Sequence, residues 1–321
     1  MDKLLKILDT EKIQRQREKL ESLHFSEKNT EKRKKRVNFT HKNMPLLSGG
    51  FFVMTIAQIL QSAQKPGFRT EMEIYIAYLL GKSRLDLVRD GNELIPVEKM
   101  AEIQKAWLKI LDGCPVAYLT GEKEFYGISL FVNEDVLVPR PETERLVDYV
   151  CEIAEVGSKI LQVVTGSGAI AIALKKTHPG FEVTASEISP AALSVAKKNI
   201  DKYALDIKLL QSDLLENVEG NFDILVANLP YIGLERNNFI APNVEKYEPH
   251  LALFGGEDGL RLYEKMFKQA KGFKYILGEI GFSHGKGIED LCHEIFPEAK
   301  FELKQDYSGL DRHFILKFRY E

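Results

Sequence analysis

From Met54 onward the apolar positions of the chain recur at intervals of three and four. The segments are "MTIAQILQSA", "EMEIYIAYLLGKSRLDLV" and "VEKMAEIQKAWLKILDG", the last ended by Gly113. That period puts the apolar residues on one face of successive helices, so it predicts a small helical domain over 54–113. The pattern then turns to alternation in "VAYLTGEKEFYGISLFVNEDVLVPRPE". With glycines at 121 and 127, this predicts a β-hairpin closing on Pro139-Arg140-Pro141 and serving as the hinge between two domains. After a helix at 142–155, apolar strand patterns alternate with helical ones. Strands are predicted at 159–164, 181–187, 207–211, 222–228, 275–280, 299–304 and 312–318. Strand–helix repetition of this kind gives an α/β fold with a doubly wound, mostly parallel sheet. Only "QDYSGLD" separates the last two strands, so they should form an antiparallel hairpin at one edge. The expected domains are 54–117 (helical), 118–141 (hairpin) and 142–321 (sheet).

Residues 1–42 break from this pattern. They are helix-prone and polar, end near "EKRKKR" (31–36), and have no apolar period that would bury a face. They read as a solvated tail, and a charge run of this kind also suits weak attachment to RNA or the ribosome. The whole of 1–53 is expected to be a disordered extension outside the fold, or upstream sequence read from a misassigned start codon. The tail holds 13 Lys/Arg against 7 Asp/Glu, a net of +6, so the chain's overall −3 leaves the other 279 residues at −9. A basic arm thus precedes an acidic body.

Composition adds mainly exclusions. With 44% hydrophobic and 28% charged residues the chain has the make-up of a globular protein. No apolar run reaches the roughly 18 residues of a membrane span, and the N-terminus is too charged for a secretory signal and too acidic for a transit peptide. Cys114, Cys151 and Cys292 are far apart and form no C-x-x-C, which argues against both a disulfide framework and a zinc site. The expected location is cytoplasmic.

Ligands of open α/β sheets bind beyond the carboxyl ends of the strands, so the candidate chemistry is sought there. After the first sheet strand, "VTGSGAIAIAL" offers Val164, Thr165, Gly166, Ser167 and Gly168 as a turn whose backbone N–H groups face a ligand at a helix start. A plain strand-to-helix turn has the same look. Glu187, at the end of the second strand, is placed to accept two hydrogen bonds from a ribose, or to cap the helix that begins near Ser189-Pro190. Asp213, followed by Leu214, lies after the third strand, where it could accept from an adenine amino group or cap a helix. After the fourth strand comes Asn228-Leu229-Pro230-Tyr231. Asn228 supplies a carbonyl acceptor, and Pro230 pushes Leu229 into an extended conformation so that its carbonyl can enter the cleft. Tyr231 would be a flat wall. Two acceptors converging on one –NH2 group would orient a poor nucleophile for in-line attack, which is catalysis by positioning; a strand-ending turn would need the same residues.

The residues quoted above carry a resemblance. The chain resembles the protein-(glutamine-N5) methyltransferases that modify class-1 peptide chain release factors. The match runs through "PVAYLTGEKEFYG", "VLVPRPETERLV", "TGSGAIAIAL", "SEISPAALSVAKKN", "FDILVANLPYI", "VEKYEPHLALFGGEDGLRLYEKM", "LGEIGF" and "DYSGLDR", in the family's order. The resemblance implies a class I, Rossmann-like methyltransferase that uses S-adenosylmethionine and neither a metal nor a covalent intermediate. It implies that Thr165–Gly168 cradle the methionine portion, that Glu187 holds the ribose, and that Asp213-Leu214 border the adenine. It further implies that Asn228 and the Leu229 carbonyl hold the glutamine amide of the Gly-Gly-Gln loop beside Tyr231, and that the helical domain helps dock the release factor. The protein is expected to be a monomer with no membrane partner.

The chain departs from the family pattern in three places. Where the family usually has Asp-Leu-Gly-Thr-Gly-Ser-Gly, this chain has Gln162-Val163-Val164-Thr165-Gly166-Ser167-Gly168. Gln162 replaces an acid that would favour the cofactor's ammonium. Val164 puts a branched side chain where glycine allows close approach and positive φ. Leu229 stands where proline is usual. Three other readings compete: glutamine methylation of a ribosomal protein, adenine N6-methylation of nucleic acid through a related Asn/Asp-x-Pro-Tyr/Phe motif, and a non-catalytic relative. The acidic body, with no basic face on the sheet domain, weighs against the nucleic-acid reading.

Overall fold

The structure is a computed structural model that describes residues 54–63, 67–234 and 240–319. The expected extension at 1–53, with its basic run, lies outside the described residues. Two compact units divide between Lys105 and Ala106. Among the described residues no helix is long and apolar enough to cross a membrane.

The first unit is helical, as the three-four period predicts. α1 (Ile56–Ser62) starts at a capping box between Thr55 and Gln58, and α3 (Arg84–Arg89) at one between Ser83 and Asp86. α2 (Arg69–Leu80) stops at Gly81 in the left-handed conformation, φ 63°, where a residue without Cβ ends a helix at little cost. α4 (Val97–Leu111) begins in this unit. The periodic residues Ile56, Ile59, Met72, Ile76, Leu87 and Ile103 form its buried interior.

In the second unit, after α5 (Val116–Thr120), β1 (Glu122–Phe125) and β2 (Ile128–Phe131) pair antiparallel. Their two-residue turn, Tyr126-Gly127, has φ 52° and 69°, and positive φ at both positions matches the right-handed twist of the strands. The hairpin is fastened to α8 (Pro190–Lys202): Lys202 Nζ and Tyr203 Oη both donate to the Ser129 carbonyl. Asn199 bonds the backbone N–H and carbonyl of Phe131 through its amide.

The seven strands described in the main sheet run β5-β4-β3-β6-β7-β9-β8. β3 (Lys159–Val163), β4 (Glu182–Glu187), β5 (Ile207–Gln211), β6 (Ile224–Ala227) and β7 (Tyr275–Glu279) are parallel. β9 (Asp311–Lys317) lies antiparallel to β7, and β8 (Lys300–Gln305) is the edge strand of the terminal hairpin, as predicted. α6 (Glu144–Ile153) and α7 (Ala169–Thr177) pack on one face with α8; α9 (Arg261–Gln269) and α10 (Gly285–Ile295) cover the other. Helices on both faces explain why β6 is buried at every position and reads as an unbroken apolar run.

The connectivity decides where a ligand can enter. The chain leaves β3 for β4 and β5, then returns to lay β6 on the other side of β3. At this reversal the loops after β3 and β6 open side by side.

Candidate active site

One cleft in the second unit is lined at this reversal point by Gln162, Val164 to Ser167, Glu187, Asp213-Leu214, Asn228 and Pro230. The four separate strand ends singled out in the sequence therefore share one cavity. Arg140 and Thr143 of the "RPETE" segment close it from another side.

The loop after β3 is a strained turn. Val164, Gly166 and Gly168 have φ of 58°, 55° and 84°, and Gly168 is the N-cap of α7. Positive φ in a β-branched residue is an outlier, and Leu214, also on the cleft, has φ 55°. Local strain of this kind persists where the surroundings enforce it, commonly at ligand sites. Asn199 Nδ2 helps enforce it by donating to the Ser167 carbonyl at 2.8 Å.

Gln162 is 1% exposed. Its Nε2 donates to the carbonyls of Val163 (2.9 Å) and Val164 (3.3 Å), so its donors are spent on the strand end itself. Its Oε1, like Thr165 Oγ1, is buried without a hydrogen-bond partner. An unpaired buried acceptor and an unpaired buried hydroxyl beside one loop are costly unless a ligand meets them.

Glu187 is more heavily used than the sequence implies. Its Oε2 accepts from Gly166 N at 3.0 Å, and its Oε1 accepts from Ile188 N and Ser189 N at 3.0 and 3.1 Å. A carboxylate has about four lone-pair sites, so these three bonds leave room for one further donor rather than the two ribose hydroxyls expected. Both expected roles are thus partly combined: the side chain braces the loop and the helix start, and still faces the cleft. Asp213 is held by Lys265 Nζ at 2.6 Å, with Glu216 on the same ammonium at 3.0 Å.

At the end of β6, Leu229 is buried among Tyr263, Phe267 and Ile280. This packing anchors a residue that lacks the ring restraint of proline. Pro230 lines the cleft; Tyr231 instead directs its hydroxyl to Glu279 Oε1 at 3.2 Å. Asn228 Nδ2 donates to Thr143 Oγ1 at 3.1 Å, and Thr143 donates to Glu279 Oε2 at 2.6 Å. Burial raises the pKa of Glu279 above its ordinary carboxylate value, opposed by the Thr143 hydrogen bond and the Arg312 charge. Burial, helped by the charge of Glu279, keeps Tyr231 a protonated phenol.

The "EPHLALFGGEDGL" segment forms a shelf under this strand end. Ile232 N donates to the Leu253 carbonyl and Gly255 N to the Ile232 carbonyl, both at 3.0 Å, in a short parallel bridge. Glu248 sits buried between "PRPE" and this shelf, accepting from Arg140 Nη2 and from Val138 N. Arg140, Thr143, Asn199, Glu248 and Glu279 were not singled out from the sequence individually. Each sits inside a motif that was quoted, but only the fold reveals its partner.

Known proteins resemble this chain at several levels. The family model for the Methyltransferase small domain matches residues 143–244, and that for the PrmC N-terminal domain matches residues 53–121. The release factor glutamine methyltransferase of Koribacter versatilis (strain Ellin345) is 36% identical over 79% of this chain and 92% of that protein. The protein of the same name from Streptococcus pneumoniae is 37% identical over 69% of this chain and 81% of its own length. Among solved structures, the hMettl16 catalytic domain in complex with the MAT2A 3'UTR hairpin 6 matches with a TM-score of 0.52 at 14% identity, covering 66% of this chain and 81% of that one, a likeness of fold alone. The chain belongs to the release factor glutamine methyltransferase family.

Proposed function

We propose that this protein transfers a methyl group from S-adenosylmethionine to the side-chain amide nitrogen of the glutamine in the Gly-Gly-Gln loop of class-1 peptide chain release factors. The observation that carries the reading is the convergence of Asn228 with the Val164–Ser167 turn and Glu187 on one cleft. Family membership supports the substrate.

The residues present suit the cofactor. Gln162 Oε1 and Thr165 Oγ1, buried and unpaired, suit the ammonium and carboxylate of its amino-acid tail. Thr165–Gly168 would cradle that tail, Glu187 would accept from a ribose hydroxyl, and Asp213-Leu214 would border the adenine. When bound, the cofactor supplies an electrophilic methyl on a sulfonium that is already an activated leaving group. The chain's own part is alignment. Asn228 Oδ1 and the Leu229 carbonyl accept the two N–H bonds of the glutamine amide, fixing its plane and turning its nitrogen to the methyl. Pro230 holds the strand end, and Tyr231, locked to Glu279, packs beside it. Orientation of this kind supplies much of the rate where the nucleophile is weak. In this reading the helical segment 54–117 docks the release factor, and the protein acts as a cytoplasmic monomer.

The test is to incubate the full chain with labelled S-adenosylmethionine and purified release factor, a ribosomal-protein mixture or RNA, then to map the methyl by mass spectrometry. Label on the Gly-Gly-Gln glutamine is expected. Label confined to RNA, or to a ribosomal protein, would overturn the assignment.

A further inference from the structure

Asn228 can serve as an acceptor in the cleft only if its amide is turned the right way, and an amide has two ends of opposite polarity and nearly equal size. Asparagine alone does not decide between them. The decision comes from a chain of hydrogen bonds behind it, running from Asn228 Nδ2 to Thr143 Oγ1 (3.1 Å) and on to Glu279 Oε2 (2.6 Å). Thr143 is 5% exposed and Glu279 1% exposed, so water does not substitute for either contact.

The polarity of this chain is fixed from its far end. A carboxylate only accepts hydrogen bonds. Tyr231, a protonated phenol, donates to Glu279 Oε1 at 3.2 Å, and Arg312 supplies a nearby positive charge. The 2.6 Å contact has the Thr143 hydroxyl donating its one proton to Glu279 Oε2. Its oxygen is left only as an acceptor, and it takes the Asn228 –NH2 group. Asn228 Oδ1 is thereby the end left for the cleft. The reversed amide would have Thr143 donating to Asn228 Oδ1, which leaves the 2.6 Å contact to Glu279 without a proton unless the acid itself carries one.

We propose that Thr143 and Glu279 are positioning residues that set the direction of the Asn228 amide, so that Oδ1 and not Nδ2 faces the substrate and the site selects a group with N–H donors. The proposal rests on the glutamine-methylation reading above for its substrate, but not for the amide's direction. Thr143 comes from the 3-10 turn Pro141–Thr143, Asn228 from the end of β6 and Glu279 from the end of β7. The "RPETE", "NLPY" and "LGEIG" segments are in this way one device.

Three variants of the full chain test it: Thr143→Val, which keeps the shape and removes the hydroxyl; Thr143→Ser, which restores the hydroxyl; and Glu279→Gln, which lets the chain of bonds reverse. Thr143→Val and Glu279→Gln should each lower kcat for release-factor methylation by about 10- to 100-fold. The KM for release factor and the calorimetric Kd for S-adenosylmethionine should stay within about threefold, since these contacts are to Asn228 and not to either ligand. Thr143→Ser should recover most of the loss. Independently of any substrate, the Asn228 side-chain amide protons, identified by their disappearance in Asn228→Asp, should exchange with water about tenfold faster in Thr143→Val than in the native chain. A Thr143→Val enzyme with native kcat, a Thr143→Ser enzyme as impaired as Thr143→Val, or equal amide exchange in all chains would overturn the proposal. Should the native protein methylate no release-factor glutamine, the functional reading fails, and amide exchange alone decides the network.

Discussion

A Cβ placed on Gly255 would lie 2.2 Å from the carbonyl oxygen of Pro230, inside the contact distance of any two atoms. The shelf segment and the strand end that carries Asn228 thus touch backbone to backbone, and Gly259 approaches the Tyr231 carbonyl as closely. Gly255→Ala must push Pro230 away or displace the shelf. The expected result is a stability loss of about 1–3 kcal/mol in denaturant unfolding and a fall in kcat of about 100-fold, because a shift of about 1 Å at a positioning group is enough. Cofactor affinity measured by calorimetry should change little. Native kcat in the alanine variant would show that the close approach does not position the site.

Val164 bears a branched side chain at φ 58°. The left-handed conformation costs a non-glycine residue about 1–2 kcal/mol, and glycine's own entropic cost of about 0.5–1 kcal/mol cancels part of the relief. Val164→Gly should raise stability by roughly 1 kcal/mol, read as a higher denaturation midpoint. It should also tighten S-adenosylmethionine binding, since the side chain removed lines the cleft. An unchanged midpoint and unchanged affinity would mean that the turn accommodates valine without strain.

Gln162 holds two strand-end carbonyls through its –NH2 group. Gln162→Glu keeps the shape but sets a second oxygen against the carbonyls of Val163 and Val164. The buried donors are lost and a charge is introduced, with an expected cost of about 1–3 kcal/mol in the free protein. Saturating S-adenosylmethionine should return part of that stability through its ammonium. A thermal melt with and without cofactor checks both halves; a variant as stable as the native chain without cofactor would contradict the assigned bonds.

His313 gives a pH dependence. It is fully buried, its Nε2 faces the Glu142 carbonyl at 3.1 Å, and burial with the Arg312 charge lowers its pKa from an ordinary 6.5 to about 4. A depressed histidine pKa means that the folded state binds fewer protons than the unfolded chain between these values. The contribution is therefore present above pH 6.5 and is lost as pH falls toward 4. On the order of 3 kcal/mol is at stake. Glu279, with a raised pKa, acts in the opposite sense. Comparing the native chain with His313→Gln, which keeps a donor for Glu142 and cannot titrate, isolates the histidine. The native chain should lose about 3 kcal/mol more between pH 7 and 4 in urea unfolding; equal losses would exclude the mechanism.

Much of this molecule is written locally. The three-four period names the helices that bury Ile56, Met72 and Ile103, and an unbroken apolar run names β6. The turn after β3 and the Asn-Leu-Pro-Tyr stop after β6 announce themselves by residue type, because special backbone geometry demands glycine and proline. That these two loops meet at one cleft also follows from an ordinary doubly wound strand order. What the sequence does not contain is register across distance. Asn228 and Thr143 are 85 residues apart, and Thr143 and Glu279 are 136 apart. Which hydroxyl meets which amide depends on β6 and β7 lying side by side with Ala227 opposite Gly278, and no local pattern encodes that pairing. For the same reason Glu187 reads as either a ribose acceptor or a helix cap and is found holding three backbone N–H groups, and Gln162 reads as a lost charge but is found bracing its own strand end. Residue type sets which hydrogen bonds a side chain can make. Only the packed fold, which brings partners from distant strands to within 3 Å or so, decides which of them it makes.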